Sequence, residues 1–187
     1  MNNNQRTRFL FDQMPVRGLH VQVEEVWQHI LRRKHYPAAI RRALGELLAA
    51  GSLLSGNLKT EGTLIIQVQG QGALKMLVVE ATSENALRAT ARWDETAHIA
   101  DDAPLSALLG NQGIFAITLQ PKDGEPWQGI VPLEGGSIAD MLMHYMAHSE
   151  QLETHIALAA DEKTAAGFLL QRLPEEQPNP EAWQHVT

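Results

Sequence analysis

Apolar positions along the chain follow two periods, and the switches between them mark out the elements. Phe9 and Phe11 share one face, Met14-Pro15 supplies a turn, and Leu19, Val21 and Val23 alternate with polar residues, which reads as a β-hairpin. From Glu24 the spacing lengthens. Val23, Val26, Trp27, Ile30 and Leu31 recur at helical intervals, predicting a helix over 24–34 that stops before Pro37. Pro37 opens a longer helix, predicted over 37–58, with the stripe Ile40, Leu44, Leu47, Leu48, Gly51, Leu54 and Leu58. Gly45, Ala49, Ser52 and Gly56 form a second row, small enough to let another backbone approach. Glycine and serine weaken an isolated helix, so tertiary packing must hold this one.

At Thr63 the period falls to two. Strands are predicted over 63–69 and 74–80, joined at Gly70-Gln71-Gly72, and over 87–93. Residues 104–109 form a short helical connection closed by Gly110, and 114–120 and 127–133 form a hairpin around Lys122-Asp123-Gly124. Ser137 with Asp140 three residues on is close to a capping box and starts a helix reaching about Ser149. Strands over 155–160 and 165–173 follow. This order describes an α/β (α+β) fold, a sandwich of mainly antiparallel sheets with packed helices. If the 70–72 loop has two or four residues, Leu64, Ile66, Val68, Leu77 and Val79 face the helices. The opposite face then carries Ile65, Leu74, Met76 and Val78 among Gln67 and Gln69.

Composition narrows the function classes. The 187 residues are 44% apolar and 20% charged, enough to bury a core as one medium domain. Cysteine is absent, which excludes a disulfide scaffold, a thiol nucleophile and any Cys-ligated metal within these residues. The net charge of −7 argues against a general nucleic-acid binder, yet it is unevenly spread. Residues 1–50 carry eight basic against four acidic residues (+4), and residues 51–187 carry seven against eighteen (−11). No signal-peptide core or membrane span is visible, so a cytoplasmic location is expected.

Candidate chemistry is sparse. His144 and His148 stand at i, i+4, the spacing of a two-His metal face, but without an HExxH context they read as residues flanking an apolar stripe. Gly70-Gln71-Gly72 leads into a strand, not a helix, and is a turn rather than a phosphate cradle. Gly135-Gly136-Ser137 lacks the lysine of a phosphate loop and reads as a helix cap. Arg32-Arg33-Lys34 and Arg41-Arg42 form a basic patch that RNA or an acidic partner could use, although only Tyr36 is available for stacking. No GxSxG elbow occurs and no carboxylate pair has a catalytic setting, so an enzyme is not expected. Met76, Met141, Met143 and Met146 are adaptable side chains; core packing accounts best for Met141, while Met143 projects off the apolar stripe.

Six segments occur together in order: Val16-Arg17-Gly18, Gly45-Glu46-Leu47-Leu48-Ala49-Ala50, Ile66-Gln67-Val68-Gln69-Gly70-Gln71-Gly72, Leu133-Glu134-Gly135, Ser149-Glu150-Gln151-Leu152-Glu153-Thr154 and Ala165-Ala166-Gly167. With these the chain resembles, from about Arg8 to Leu173, the N-terminal core of the bacterial thirty-three-kilodalton heat-shock protein family. The resemblance implies an ATP-independent holdase chaperone that holds unfolding proteins under oxidative and heat stress and is dimeric when active. It also implies a C-terminal module with four cysteines that bind zinc when reduced. One departure is Phe168, where the family commonly has a second glycine after Gly167.

On this footing residues 1–173 are expected to be the chaperone core and 174–187 the start of a linker. The run from Pro174 to Pro180 holds three prolines, and Asn179-Pro180-Glu181 begins a helix that Thr187 leaves unfinished, so a chain cut before the zinc module is expected. No cofactor or metal is expected within the chain, zinc being a property of the full-length family. Expected partners are unfolded or partly folded client proteins and a second copy, without membrane or nucleic acid; RNA or an acidic partner at Arg32–Arg42 is the alternative. The mixed face bearing Ile65, Leu74, Met76 and Val78 is the candidate client-binding surface.

Overall fold

The computed structural model describes residues 4–12, 14–133, 135–151, 153–173 and 183. In chain order the elements are β1 (Asn4–Leu10), β2 (Val16–Val23), α1 (Glu25–Arg33), α2 (Ala38–Ser55), β3 (Gly62–Gly70), β4 (Leu74–Thr82), β5 (Leu87–Trp93), α3 (Leu105–Leu109), β6 (Gly113–Pro121), β7 (Trp127–Pro132), α4 (Ile138–His148), β8 (Thr154–Ala160) and β9 (Ala165–Arg172). They form two sheets, β1-β2-β9-β8 and β5-β4-β3-β6-β7, in which every pairing is antiparallel. The predicted α+β sandwich is the observed architecture. The expected linker and terminal helix start lie outside the described residues, except Trp183.

Helix α2 is the middle layer. It packs on β2, β8 and β9 of one sheet and on β3, β4 and β5 of the other. Leu47, Leu48, Ala49, Ala50 and Leu53 are all fully buried, because a helix with sheets on two sides has almost no solvent face. This double contact requires small residues on both flanks. A side chain at Gly45 would strike Ala160 and Trp27, and a Cβ at Gly51 would lie 2.6 Å from Val79 Cγ1. The row Gly45, Ala49, Ser52, Gly56 is therefore occupied inside the fold and is not available to a second chain. The helix ends at Ser55 rather than residue 58, with Gly56 as its C-cap. Arg6 on β1 holds that end, donating to the Ser52 carbonyl (3.4 Å), Ser55 Oγ (3.3 Å) and the Ser83 carbonyl (3.2 Å). A cation there also opposes the negative end of the helix dipole.

Helix α4 contacts α2 and β8, and its Tyr145 meets Phe115 and Trp127 of β6 and β7. Its start is the anticipated capping box: Ser137 Oγ accepts from the Asp140 amide (3.1 Å) and Asp140 Oδ2 from the Ser137 amide (3.0 Å). Phe168 finds a specific place. Its ring stacks on Phe9 at 5.7 Å, while Phe9 lies over Gly18, where any side chain would collide with it. The Val16-Arg17-Gly18 glycine thus makes room for an aromatic pair on the outer face of the smaller sheet.

Candidate functional site

The outer face of the five-stranded sheet is built by strand alternation. Leu64, Ile66, Val68, Leu77 and Val79 are all buried toward the helices, as the periodicity predicts. The residues between them point the other way, and the register sets them in three rows across the sheet. One row is Thr90, Val78, Gln67, Ala116 and Ile130; a second is Arg92, Met76, Gln69 and Ile114; a third is Arg88, Glu80, Ile65, Thr118 and Gln128. Apolar and polar side chains are mixed in every row and alternate along the second, and Gln128 Nε2 donates to Thr118 Oγ1 at 2.8 Å.

Ile65, Met76 and Val78 are partly exposed, Val78 sharing a cavity with Val26, His29 and Arg33 of α1, while Ala116 is buried. Leu74 is a correction. The ladder between β4 and β5 shifts between Leu74 and Met76, so that Leu74 opposes Trp93 while Met76 opposes Arg92. The extra residue, Lys75, reverses the alternation and turns Leu74 into the core, where it is fully buried. Ile130, 56% exposed, is a member of the face that the sequence reading missed. The alternation of Gln128 and Ile130 along 127–133 is the signal that could have found it.

Other candidates are accounted for locally. In the basic patch, Lys34 Nζ lies 3.7 Å from a Glu95 oxygen and 4.0 Å over the Trp93 ring, and Arg41 pairs with Glu162 at 3.0 Å. Arg42 donates to the carbonyls of Asp101 (3.3 Å) and Ala103 (3.1 Å). Most of the patch is thus spent on tying α1 and α2 to neighbouring loops, and the RNA alternative gains no support. His144 and His148 stack at 4.0 Å between centroids, with His148 Nδ1 2.9 Å from the His144 carbonyl. Among the described residues no group of three or more His, Asp or Glu is placed to hold a metal ion. The thiolate zinc site that the resemblance implies cannot be assembled from these cysteine-free residues. No helix among the described residues is long and apolar enough to cross a membrane.

The model of the Hsp33 protein family matches residues 4–186. The chain belongs to the Hsp33 family. It is 72% identical over 182 residues to the 33 kDa chaperonin of Neisseria gonorrhoeae, covering 97% of this chain and 60% of that relative. It is 48% identical to the 33 kDa chaperonin of Chromobacterium violaceum, covering 100% of this chain and 63% of the relative. The chain therefore spans about three-fifths of the length of these curated Hsp33 relatives. The crystal structure of the 33 kDa chaperonin of Thermotoga maritima shares the fold, with a TM-score of 0.78 at 23% identity, over 91% of this chain and 61% of that one.

Proposed function

We propose that this Hsp33-family chain is an ATP-independent holdase core that binds unfolding polypeptides non-covalently and without catalysis. The observation that carries the reading is the outer face of the five-stranded sheet. There a five-stranded antiparallel sheet presents Ile65, Met76, Val78 and Ile130 between amides, hydroxyls and charged side chains. Scattered apolar contacts on a polar ground suit clients of varied sequence, because no single side chain is required and methionine adapts to its partner. Each large apolar side chain covered by a client would contribute roughly 1.5–3 kcal/mol before ordering costs. The relatives' name, 33 kDa chaperonin, supports the same activity class. The test is light scattering from a thermally unfolding client. Suppression at several-fold molar excess, without nucleotide, is the expected result; unchanged aggregation would count decisively against the reading.

Self-association into a homodimer belongs to the same proposal, on the strength of the family resemblance. Since the small-residue row of α2 is filled internally, the contact must use another surface. Sedimentation at high micromolar concentration should show a dimer, and monomer alone would refute it.

A further inference from the structure

A second apolar surface opens at the end of the sandwich, where the last turns of α2 and α4 meet both sheets. Two adjoining cavities occupy it, of about 780 and 540 Å³. They share Arg17, Asn57, Leu58 and Lys59 and so form one groove. Each lies within the common range of ligand cavities, about 300–1,000 Å³. Leu54, Leu64, Ile117 and Met146 line the larger part. Trp127 lines the larger cavity and Leu10 the smaller, 46% and 71% exposed, and both are among the exposed large apolar side chains of the described residues. Two adjoining cavities that share a wall, each with an exposed large apolar side chain on its lining, suit a polypeptide segment better than a compact small molecule.

Its charge is opposite to that of the chain. The net charge is −7, yet Arg8, Arg17 and Lys59 line the groove without a carboxylate partner among the described residues. Arg8 donates to the Gly56 carbonyl and Arg17 Nε to Gln171 Oε1 at 2.8 Å; both partners are neutral, so the positive charges remain. Gln171 is itself buried and braced by donating to Thr154 Oγ1 at 3.1 Å, which fixes Arg17 in place. The acid on the lining, Glu150, accepts from the neutral Tyr145 hydroxyl at 3.0 Å and keeps its charge, and Arg172, the fourth cation, pairs with Glu153 at 2.7 Å, so Arg8, Arg17 and Lys59 outnumber one acid. Crowding of positive charge is felt by Arg6, whose pKa is lowered by burial and by the neighbouring Arg8.

We propose that this groove binds extended client segments in which apolar side chains are flanked by aspartate or glutamate. The inference rests on the holdase reading and adds to it a selection by charge. Apolar contact along the groove supplies affinity, and the fixed cations supply rate and preference, a division of labour common at protein interfaces. Basic-flanked segments of equal hydrophobicity are disfavoured there by like-charge juxtaposition.

The test uses the 187-residue chain and three fluorescent peptides sharing one Leu/Phe core, flanked by Glu, Ser or Lys, read by anisotropy. At low salt the Glu-flanked peptide should bind at least about five-fold tighter than the Lys-flanked one, with Ser between, and the gap should narrow at 0.5 M salt as screening shortens to a few Å. Lys59→Glu, at an exposed position, should reduce or invert that ratio, while Lys163→Glu, the same charge change in the exposed β8–β9 turn away from both surfaces, should leave it unchanged. A benzophenone in the peptide core should cross-link near Leu58 or Met146. Equal affinities, a ratio indifferent to Lys59→Glu, or cross-links confined to the sheet face would overturn the proposal. A carbodiimide link from Lys59 to Glu175 or Glu176 that the peptide does not displace would overturn it too, since the chain would then fill its own groove. If client aggregation is still suppressed while flank charge makes no difference, only the groove fails; if suppression is also absent, the holdase reading fails with it.

Discussion

Replacing Gly51 by alanine separates two opposing effects on the central helix. Helix propensity alone favours the change by up to about 1 kcal/mol, because glycine is the poorer helix former. Packing opposes it. The new Cβ would lie 2.6 Å from Val79 Cγ1 and 3.5 Å from Ala81 Cβ, in a layer where Val79 and Ala81 are fully buried. Val79 is β-branched and has little rotamer freedom in a strand, so relief requires α2 and β4 to separate. Overpacking of this kind costs about 1–3 kcal/mol, and the net expectation is a loss of up to about 2 kcal/mol. Val79→Ala removes the clashing methyl; alone it should cost about 2 kcal/mol, from two buried methyl groups and the space they leave. Urea denaturation of the wild type, both single variants and the double variant gives the cycle. The double variant should lose about 1 kcal/mol less than the two single losses together, outside the roughly 0.3–0.5 kcal/mol expected of independent sites. A higher urea midpoint for Gly51→Ala, or additive losses, would refute the close approach of α2 to the larger sheet.

Other outcomes follow from the same packing and hydrogen bonds. Leu74→Ala should cost about 2–5 kcal/mol as a core truncation, whereas Met76→Ala two residues on should cost clearly less; equal losses in thermal or urea unfolding would contradict the bulge. Burial pushes the Glu46 carboxyl above its ordinary range against the opposite pull of Arg42, so ionised Glu46 burdens the folded state at pH 7 and the protonated form does not. Glu46→Gln should therefore stabilise by a few tenths to about 1 kcal/mol at pH 7, the group being partly exposed, and the gain should vanish as pH falls through the unfolded carboxylate range, measured by denaturation at each pH. Arg6→Met should cost about 1–3 kcal/mol through the lost charged hydrogen bonds to Ser52, Ser55 and Ser83, visible as a lower unfolding midpoint.

Much of the fold is legible in the chain because strand alternation, helical spacing and turn chemistry are local. The Lys122-Asp123-Gly124 turn, the Ser137–Asp140 cap and the buried set Leu64, Ile66, Val68, Leu77 and Val79 all follow from residues a few places apart. Long-range pairing does not. Nothing in the periodicity of Ile114–Gln120 says that β6 lies beside β3, or that the first hairpin joins β9, so the sheet order had to come from the structure. The small residues of α2 announced a close approach but not its partner, which proved to be both sheets at once. The candidate surface was legible as far as alternation held. Ile65, Met76 and Val78 share the expected face, and Leu74 left it because one extra residue in β4 inverts everything beyond it. The Trp127–Leu10 groove joins segments more than a hundred residues apart, and no local pattern could have shown it.

Client binding by the sheet face is the property on which the proposed holdase activity depends. Light scattering from a thermally unfolding client should be compared for the wild-type chain and the variant carrying Ile65→Glu and Met76→Glu, with folding checked by circular dichroism and unfolding midpoint. Both positions are partly exposed and face away from the core, so the variant should keep its fold and lose most of its suppression at equal molar excess. Peroxide should alter neither protein through thiol chemistry, since no cysteine is present. A folded variant that suppresses aggregation as well as the wild type would contradict the assignment of clients to this face.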